Sequence, residues 1–151
     1  MTERIDAPEL LGDTALTVFR LNGQLLGLAE ELTRPVGLTA ARWQVLGAVL
    51  RTPLTVAGVG RAVGLTRQSV QRTADLLVGQ GLAEYVDNPA HRRAKLFRPT
   101  AAGYEAVRRI GPGQAEAAVR LAGAVGHDEL SQAVATLHRL CDELDRLGAQ
   151  R

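Results

Sequence analysis

Seven consecutive residues, Thr66-Arg67-Gln68-Ser69-Val70-Gln71-Arg72, set two guanidinium groups, two carboxamides and two hydroxyls close together. These groups suit recognition of flat partners that carry fixed donor and acceptor patterns, as base edges do. Arg67 can donate two hydrogen bonds to guanine, and Gln68 and Gln71 can each pair bidentately with adenine. Ser69 suits a phosphate or a short base contact. Arg72 lies further along and suits the nucleic-acid backbone, or else an (i, i+3) ion pair with Asp75. Thr66 stands directly before the run, where a hydroxyl can cap a helix. A second basic group follows in the turn-rich stretch Asp87-Asn88-Pro89-Ala90-His91-Arg92-Arg93. There Arg92 and Arg93 could meet phosphate or a narrow minor groove.

The charge distribution agrees with that reading. The 151 residues have a net charge of only +2. Residues 61–109, however, hold nine basic groups (Arg61, Arg67, Arg72, Arg92, Arg93, Lys95, Arg98, Arg108 and Arg109) against four acidic ones. A basic middle between mildly acidic ends suggests one surface facing a polyanion. With 46% hydrophobic residues the chain can build a core, and nothing approaches the roughly 18 apolar residues of a membrane span. The first six residues, Met1 to Asp6, lack a basic stretch followed by an apolar one, so a cytoplasmic protein is expected. One cysteine, Cys141, excludes an internal disulfide and a cysteine-based zinc cluster.

The elements that must hold these residues follow from periodicity. Leu11, Val18, Leu21, Leu25, Leu28 and Leu32 recur near every 3.6 residues, predicting a long amphipathic helix over 9–33 that ends at Arg34-Pro35-Val36-Gly37. Thr39 caps a second helix with Trp43, Leu46, Val49 and Leu50 as its apolar positions, closed by Pro53. A short helix over 55–64 turns Val56, Val59 and Val63 inward and breaks at Gly64. Thr66 caps the next, 67–80, in which Val70, Ala74 and Leu77 face inward while Arg67, Gln68, Gln71 and Arg72 face out. Gly81 ends it in a left-handed cap. Two short helices about a tight turn, the second with an outward Arg/Gln face, describe a helix-turn-helix. Two strand-like runs, Leu82 to Val86 and Ala94 to Arg98, then flank the basic turn as a hairpin wing. Thr100 caps a further helix, which is expected to be interrupted at Gly111-Pro112-Gly113 and to resume to about Gly123. The last helix, about 128–147, carries Leu130, Val134, Leu137, Cys141, Leu144 and Leu147. The fold class is thus mainly α with a small β-hairpin wing, a winged helix-turn-helix flanked by N- and C-terminal helices.

These motifs fall in one register, and the chain resembles the multiple-antibiotic-resistance regulator (MarR) family of winged-helix transcription factors. Leu38-Thr39, Trp43 and Val45-Leu46 look like the family's second helix. Pro53-Leu54-Thr55-Val56 and Val63-Gly64-Leu65-Thr66-Arg67-Gln68-Ser69-Val70 look like its helix-turn-helix. Gly81-Leu82, Asn88-Pro89, Arg92-Arg93-Ala94, Leu96 and Thr100-Ala101-Ala102-Gly103 look like its wing and the exit into the fifth helix. Some positions depart from the pattern. His91 stands where the family usually has Asp, Ala90 where many members place an arginine, and Tyr85 and Pro99 replace an Arg and an apolar residue of the hairpin. The resemblance implies one MarR-type domain over 1–151, with a DNA-binding lobe at 38–103 and dimerisation helices at 9–33 and 104–148. It also implies that Arg93 bridges to Asp75 and braces the wing, which ranks Arg92 above Arg93 for DNA.

The partners expected are double-stranded DNA, a second copy of the chain and a small-molecule effector of unspecified identity. Reading two half-sites of a palindromic operator needs a two-fold dimer, and the first and last helices carry the apolar stripes for one. The resemblance implies an effector site between the dimer helices and the winged lobe, with Trp43 among its walls; plain core packing is the other reading of Trp43. No Gly-rich phosphate loop, nucleophile elbow or paired carboxylates suggest an enzyme, and no cofactor is implied. His138, Cys141 and Asp142 share a helix face at metal-ligand spacing, but Cys141 also fits the apolar stripe as a small, buried and inert residue. A ligand-responsive repressor is the main expectation. A winged-helix module that binds protein or nucleic acid without reading sequence is the alternative.

Overall fold

In the computed structural model, which describes residues 6–150, six helices and one two-stranded hairpin follow in the order expected. Met1 to Ile5, five of the six residues read for a secretory signal, lie outside the described residues, as does Arg151. None of the described helices is long and apolar enough to cross a membrane.

Helix α1 (Ala7–Thr33) begins where the Asp6 carboxylate accepts from the Glu9 amide at 2.9 Å, satisfying a donor that the first turn leaves free. It ends at a 3₁₀ turn, Arg34–Val36, in which Pro35 stands at an N-terminal position. Thr39 caps α2 (Ala40–Ala48) through a bond from the Arg42 amide, and the Glu30 carboxylate of α1 accepts from the Ala40 amide at 3.0 Å. Helix α2 stops at Ala48, well short of Pro53. Leu54, just past that proline, instead exchanges two backbone bonds with Phe97 of the hairpin, at 3.2 and 2.7 Å.

Helices α3 (Val56–Val63) and α4 (Arg67–Gly79) are capped by Thr55 and Thr66. Their turn is tight: a Cβ on Gly60 would lie 2.7 Å from the Leu65 carbonyl oxygen, so no larger residue fits there without movement. Gly81, at φ +72°, ends α4. Its amide bonds Val78 and the Leu82 amide bonds Leu77, which together satisfy the orphan carbonyls of the last turn. The chain then enters β1 (Ala83–Val86), which pairs antiparallel with β2 (Leu96–Pro99) in the register Ala83 to Pro99 and Val86 to Leu96. Val45, Leu46, Val49, Val56, Val59, Val70, Ala74, Leu77, Ala83 and Phe97 form the core of this lobe, so α2, α3, α4 and the hairpin share one apolar centre.

Helix α5 (Ala101–Val125) corrects one expectation: it runs unbroken through Pro112. Proline removes one N–H from the ladder, that owed to the Arg108 carbonyl. Arg108 is exposed, so water can replace the lost donor. Gly111 also lacks the Cβ against which a proline ring would press. The helix persists, yet the chain does divide here into two compact units, one ending at Ile110 and the other beginning at Gly111. In the second unit, α6 (His127–Ala149) buries none of its residues. Cys141, expected to be a buried member of the leucine stripe, is therefore exposed.

Candidate nucleic-acid interface

Thr66 opens α4 as its N-cap, its Oγ1 accepting from the Ser69 amide at 3.1 Å. This fixes the first turn and sets Arg67, Gln68, Ser69 and Arg72 on the exposed side, while Val70, Ala74 and Leu77 are fully buried beneath them. The apolar positions repeat at three and four residues, so the polar positions between them have no choice of face.

The basic groups of residues 61–109 sort into two kinds. Arg98 pairs with Glu84 across the hairpin at 2.8 Å, and Arg108 and Arg109 both pair with Glu105. The Arg108 hydrogen bond, more than any other influence, holds the Glu105 carboxyl below its ordinary range. Among the described residues, Arg61, Arg67, Arg72, Arg92, Arg93 and Lys95 make no ion pair. The unpaired cations thus sit on the helix-turn-helix and the wing, and the neutralised ones on β2 and α5.

Arg67, Arg93 and Lys95 line one cleft of about 330 Å³ together with Thr55, Gln71 and Tyr85. A neighbouring concavity is lined by Arg67, Gln68, Gln71, Arg72 and Asp75, so Arg67 and Gln71 border both. Arg92 lines neither and is exposed near the wing tip. That tip is shaped by an Asx turn, in which the Asn88 side chain accepts from the Ala90 amide at 3.0 Å. Trp43 is half-buried on α2 and borders neither cleft.

At Asp75 one expectation, the bridge from Arg93, is corrected, and one of the two readings of Arg72 finds no support. Asp75 pairs with neither Arg72 nor Arg93. Its Oδ1 accepts from the Tyr85 hydroxyl at 2.7 Å and from Gln71 Nε2 at 2.9 Å, and Gln71 Nε2 also donates to the Tyr85 oxygen at 2.9 Å. At Tyr85, where the resemblance implies an arginine, the phenol ties the wing to α4. Gln71 is accordingly half-buried and held, not free on the outer face. Burial first, and then the hydrogen bond and charge of Asp75, push the Tyr85 phenol well above its ordinary value of 10.0. The Tyr85 ring also leans on Phe97, its partner in the register, with centroids 5.8 Å apart.

Tyr85, Lys95 and Thr55 were not among the residues singled out for binding. A usable signal existed for Tyr85. Ala83 and Tyr85 lie two apart on one strand, so a buried Ala83 puts the phenol on the side facing the lobe. On the last helix, the spacing that suggested metal ligation finds no support in space: among the described residues, no group of three His, Cys, Asp or Glu side chains could hold a metal ion.

A three-helix core with an exposed Arg/Gln helix and a basic hairpin defines a winged helix-turn-helix protein. Residues 36–94 match the MarR family. An uncharacterized protein of Mycobacterium tuberculosis is 39% identical over 123 residues, covering 82% of this chain and 86% of the relative. The chain belongs to the MarR family of transcription regulators. Among solved structures, CouR of Rhodococcus jostii RHA1 bound to p-coumaroyl-CoA superposes with a TM-score of 0.75 at 23% identity, over 85% of this chain and 92% of that one. The M. tuberculosis regulator MosR in complex with DNA superposes at 0.73 with 20% identity, over 88% and 96%. Both share the fold.

Proposed function

We propose that this protein is a homodimeric transcriptional repressor that binds a palindromic operator and releases it when a small molecule binds. It performs no catalysis. The observation that carries the reading is the array of unpaired cations on α4 and the wing, Arg67, Arg72, Arg92 and Arg93, beside the exposed amide of Gln68. A module that bound nucleic acid by charge alone would need the arginines but not the exposed Gln68 amide. Arg67 and Gln68 meet base edges in the major groove, with Gln71 behind them. Arg72 and the Thr66 and Ser69 hydroxyls meet the backbone, while Arg92 and Arg93 position the wing on phosphate or in the minor groove.

Two half-sites require two lobes. Leu10, Leu11, Leu16 and Phe19 of α1 and Leu144 and Leu147 of α6 are each more than half exposed, which favours their burial against a second copy. In this arrangement residues 9–33 and 104–148 form the dimerisation region around the lobe at 38–103. The relatives' names support the remaining parts: CouR has been solved with p-coumaroyl-CoA and, as a transcriptional repressor, with a DNA duplex. The effector of this chain is a small molecule, with Trp43 at the wall of its site.

The test is binding of the protein to its own promoter region against random DNA over a range of salt concentrations. Arg67→Ala is expected to cost about 1–3 kcal/mol on the cognate duplex and to relax one base position. Arg92→Ala is expected to weaken cognate and random duplexes alike and to lower the salt slope by about one. Equal competition by random DNA would overturn sequence-specific repression in favour of a charge-driven module.

A further inference from the structure

The Gln71, Asp75 and Tyr85 side chains meet in a triangle with sides of 2.9, 2.9 and 2.7 Å. In so nearly equilateral an arrangement, one N–H of Gln71 directed between the two oxygens serves both as a three-centre bond. The chemistry leaves one orientation for the amide. Asp75 is a carboxylate and accepts only, and Tyr85 spends its single proton on Asp75. Turning the amide over would set its oxygen against the carboxylate with no hydrogen between them. Gln71 Oε1 is thus held away from Asp75, and among the described residues nothing donates to it. Gln71 borders the open concavity of α4 together with Arg67, Gln68, Arg72 and Asp75 itself.

We propose that Asp75 is a specificity-determining residue that acts through a neighbour: it locks Gln71 as a hydrogen-bond acceptor. The locked oxygen selects an exocyclic amine, adenine N6 or cytosine N4, and disfavours thymine and guanine, which offer only acceptors at the matching edge. A freely rotating glutamine could read either pattern. The inference rests on the DNA-binding reading above and adds which atom of Gln71 faces the groove and what holds it there.

Selection from a randomised duplex library, with the full-length protein and its variants, tests this. Wild-type protein is expected to enrich adenine or cytosine at one position, at least about fivefold over thymine or guanine. Gln71→Ala erases that preference and so identifies the position. Asp75→Ala is expected to relax it, because the Tyr85 hydroxyl can then donate to or accept from an amide in either orientation. Tyr85→Phe should keep it, since the carboxylate still holds the nitrogen. Loss of a negative charge raises the affinity of Asp75→Ala for every duplex, so the readout is the ratio between bases within each variant. Should Asp75→Ala fail to fold, Asp75→Leu, of similar shape and a good helix former, removes the acceptor in the same way. If wild-type protein enriches no sequence, the sequence-reading function itself fails. If it enriches a site, three results would each overturn the lock. They are an Asp75→Ala profile that matches wild type, a Gln71→Ala profile that matches wild type, and a Tyr85→Phe profile as relaxed as Asp75→Ala.

Discussion

Leu46 and Leu77 of the winged lobe are completely buried, whereas Leu144 and Leu147 of α6 are more than half exposed. Both regions are helical, and both space their leucines at three and four residues. In the lobe, α2, α3, α4 and the hairpin converge on one centre, and Phe97 closes it from the strand side. Helix α6 buries no residue at all, and its Val134, Leu137, Leu140 and Leu144 form an exposed apolar row. The same hydrophobic pattern thus serves two purposes. Where other elements cover it, it builds a core; where it stays exposed, as on α6, it is the surface proposed for the second copy. In the proposed function the division follows the same line, with the lobe's polar face assigned to DNA and the helix's apolar face to the second copy.

The contrast is sharpest at its two ends. Phe97→Ala is expected to produce the largest loss, about 3–5 kcal/mol, because removing a fully buried aromatic leaves a cavity in the shared core. Chemical denaturation followed by far-UV circular dichroism measures it. A loss below about 1 kcal/mol would mean that the lobe has no single cooperative core. Next in size, the double substitution Leu137→Glu and Leu144→Glu should leave the lobe's own packing intact but yield monomers, since two carboxylates in an apolar seam cost several kcal/mol. Sedimentation velocity distinguishes the species. Dimers that persist after both changes would remove α6 from the proposed interface.

Legibility in the sequence followed the same division. Caps and periodicity placed each lobe helix to within a few residues, because Thr39 and Thr66 each make the backbone bond their position implied; the Thr55 cap is seen only in the structure. The continuous course of α5 was not legible. Gly111-Pro112-Gly113 is strong local turn chemistry, and the helical context on both sides overrode it. The charged contacts of the site were also hidden. Asp75 offers itself to Arg72 by spacing and to Arg93 by resemblance, and only the folded hairpin shows that Tyr85 arrives first. Even a pairing spaced for one helix, Arg72 with Asp75, gives way to a contact between residues ten apart across a turn, which depends on the hairpin register. Cys141 illustrates the other limit. Its place in a leucine stripe was correct, but a stripe does not say whether anything within the chain covers it.

A smaller effect separates the two regions by pH. Burial and the neighbouring Asp75 raise the Tyr85 phenol well above 10.0, so the folded lobe holds this proton more tightly than the unfolded chain does. The sign follows from linkage. The stabilisation is fully present below the ordinary phenol value and declines as the pH rises above it, because the unfolded chain releases the proton first. Denaturation of wild-type protein is therefore expected to show falling lobe stability from about pH 10 upward. Tyr85→Phe, which has no proton to lose, should show a shallower alkaline decline. Its stability near pH 7 should be lower by about 1 kcal/mol for the hydrogen bond removed. Helix α6 contains no tyrosine, so the Leu137→Glu and Leu144→Glu variant should retain the wild-type alkaline slope of the lobe. Parallel alkaline slopes in wild type and Tyr85→Phe would show that the phenol does not brace the wing against α4.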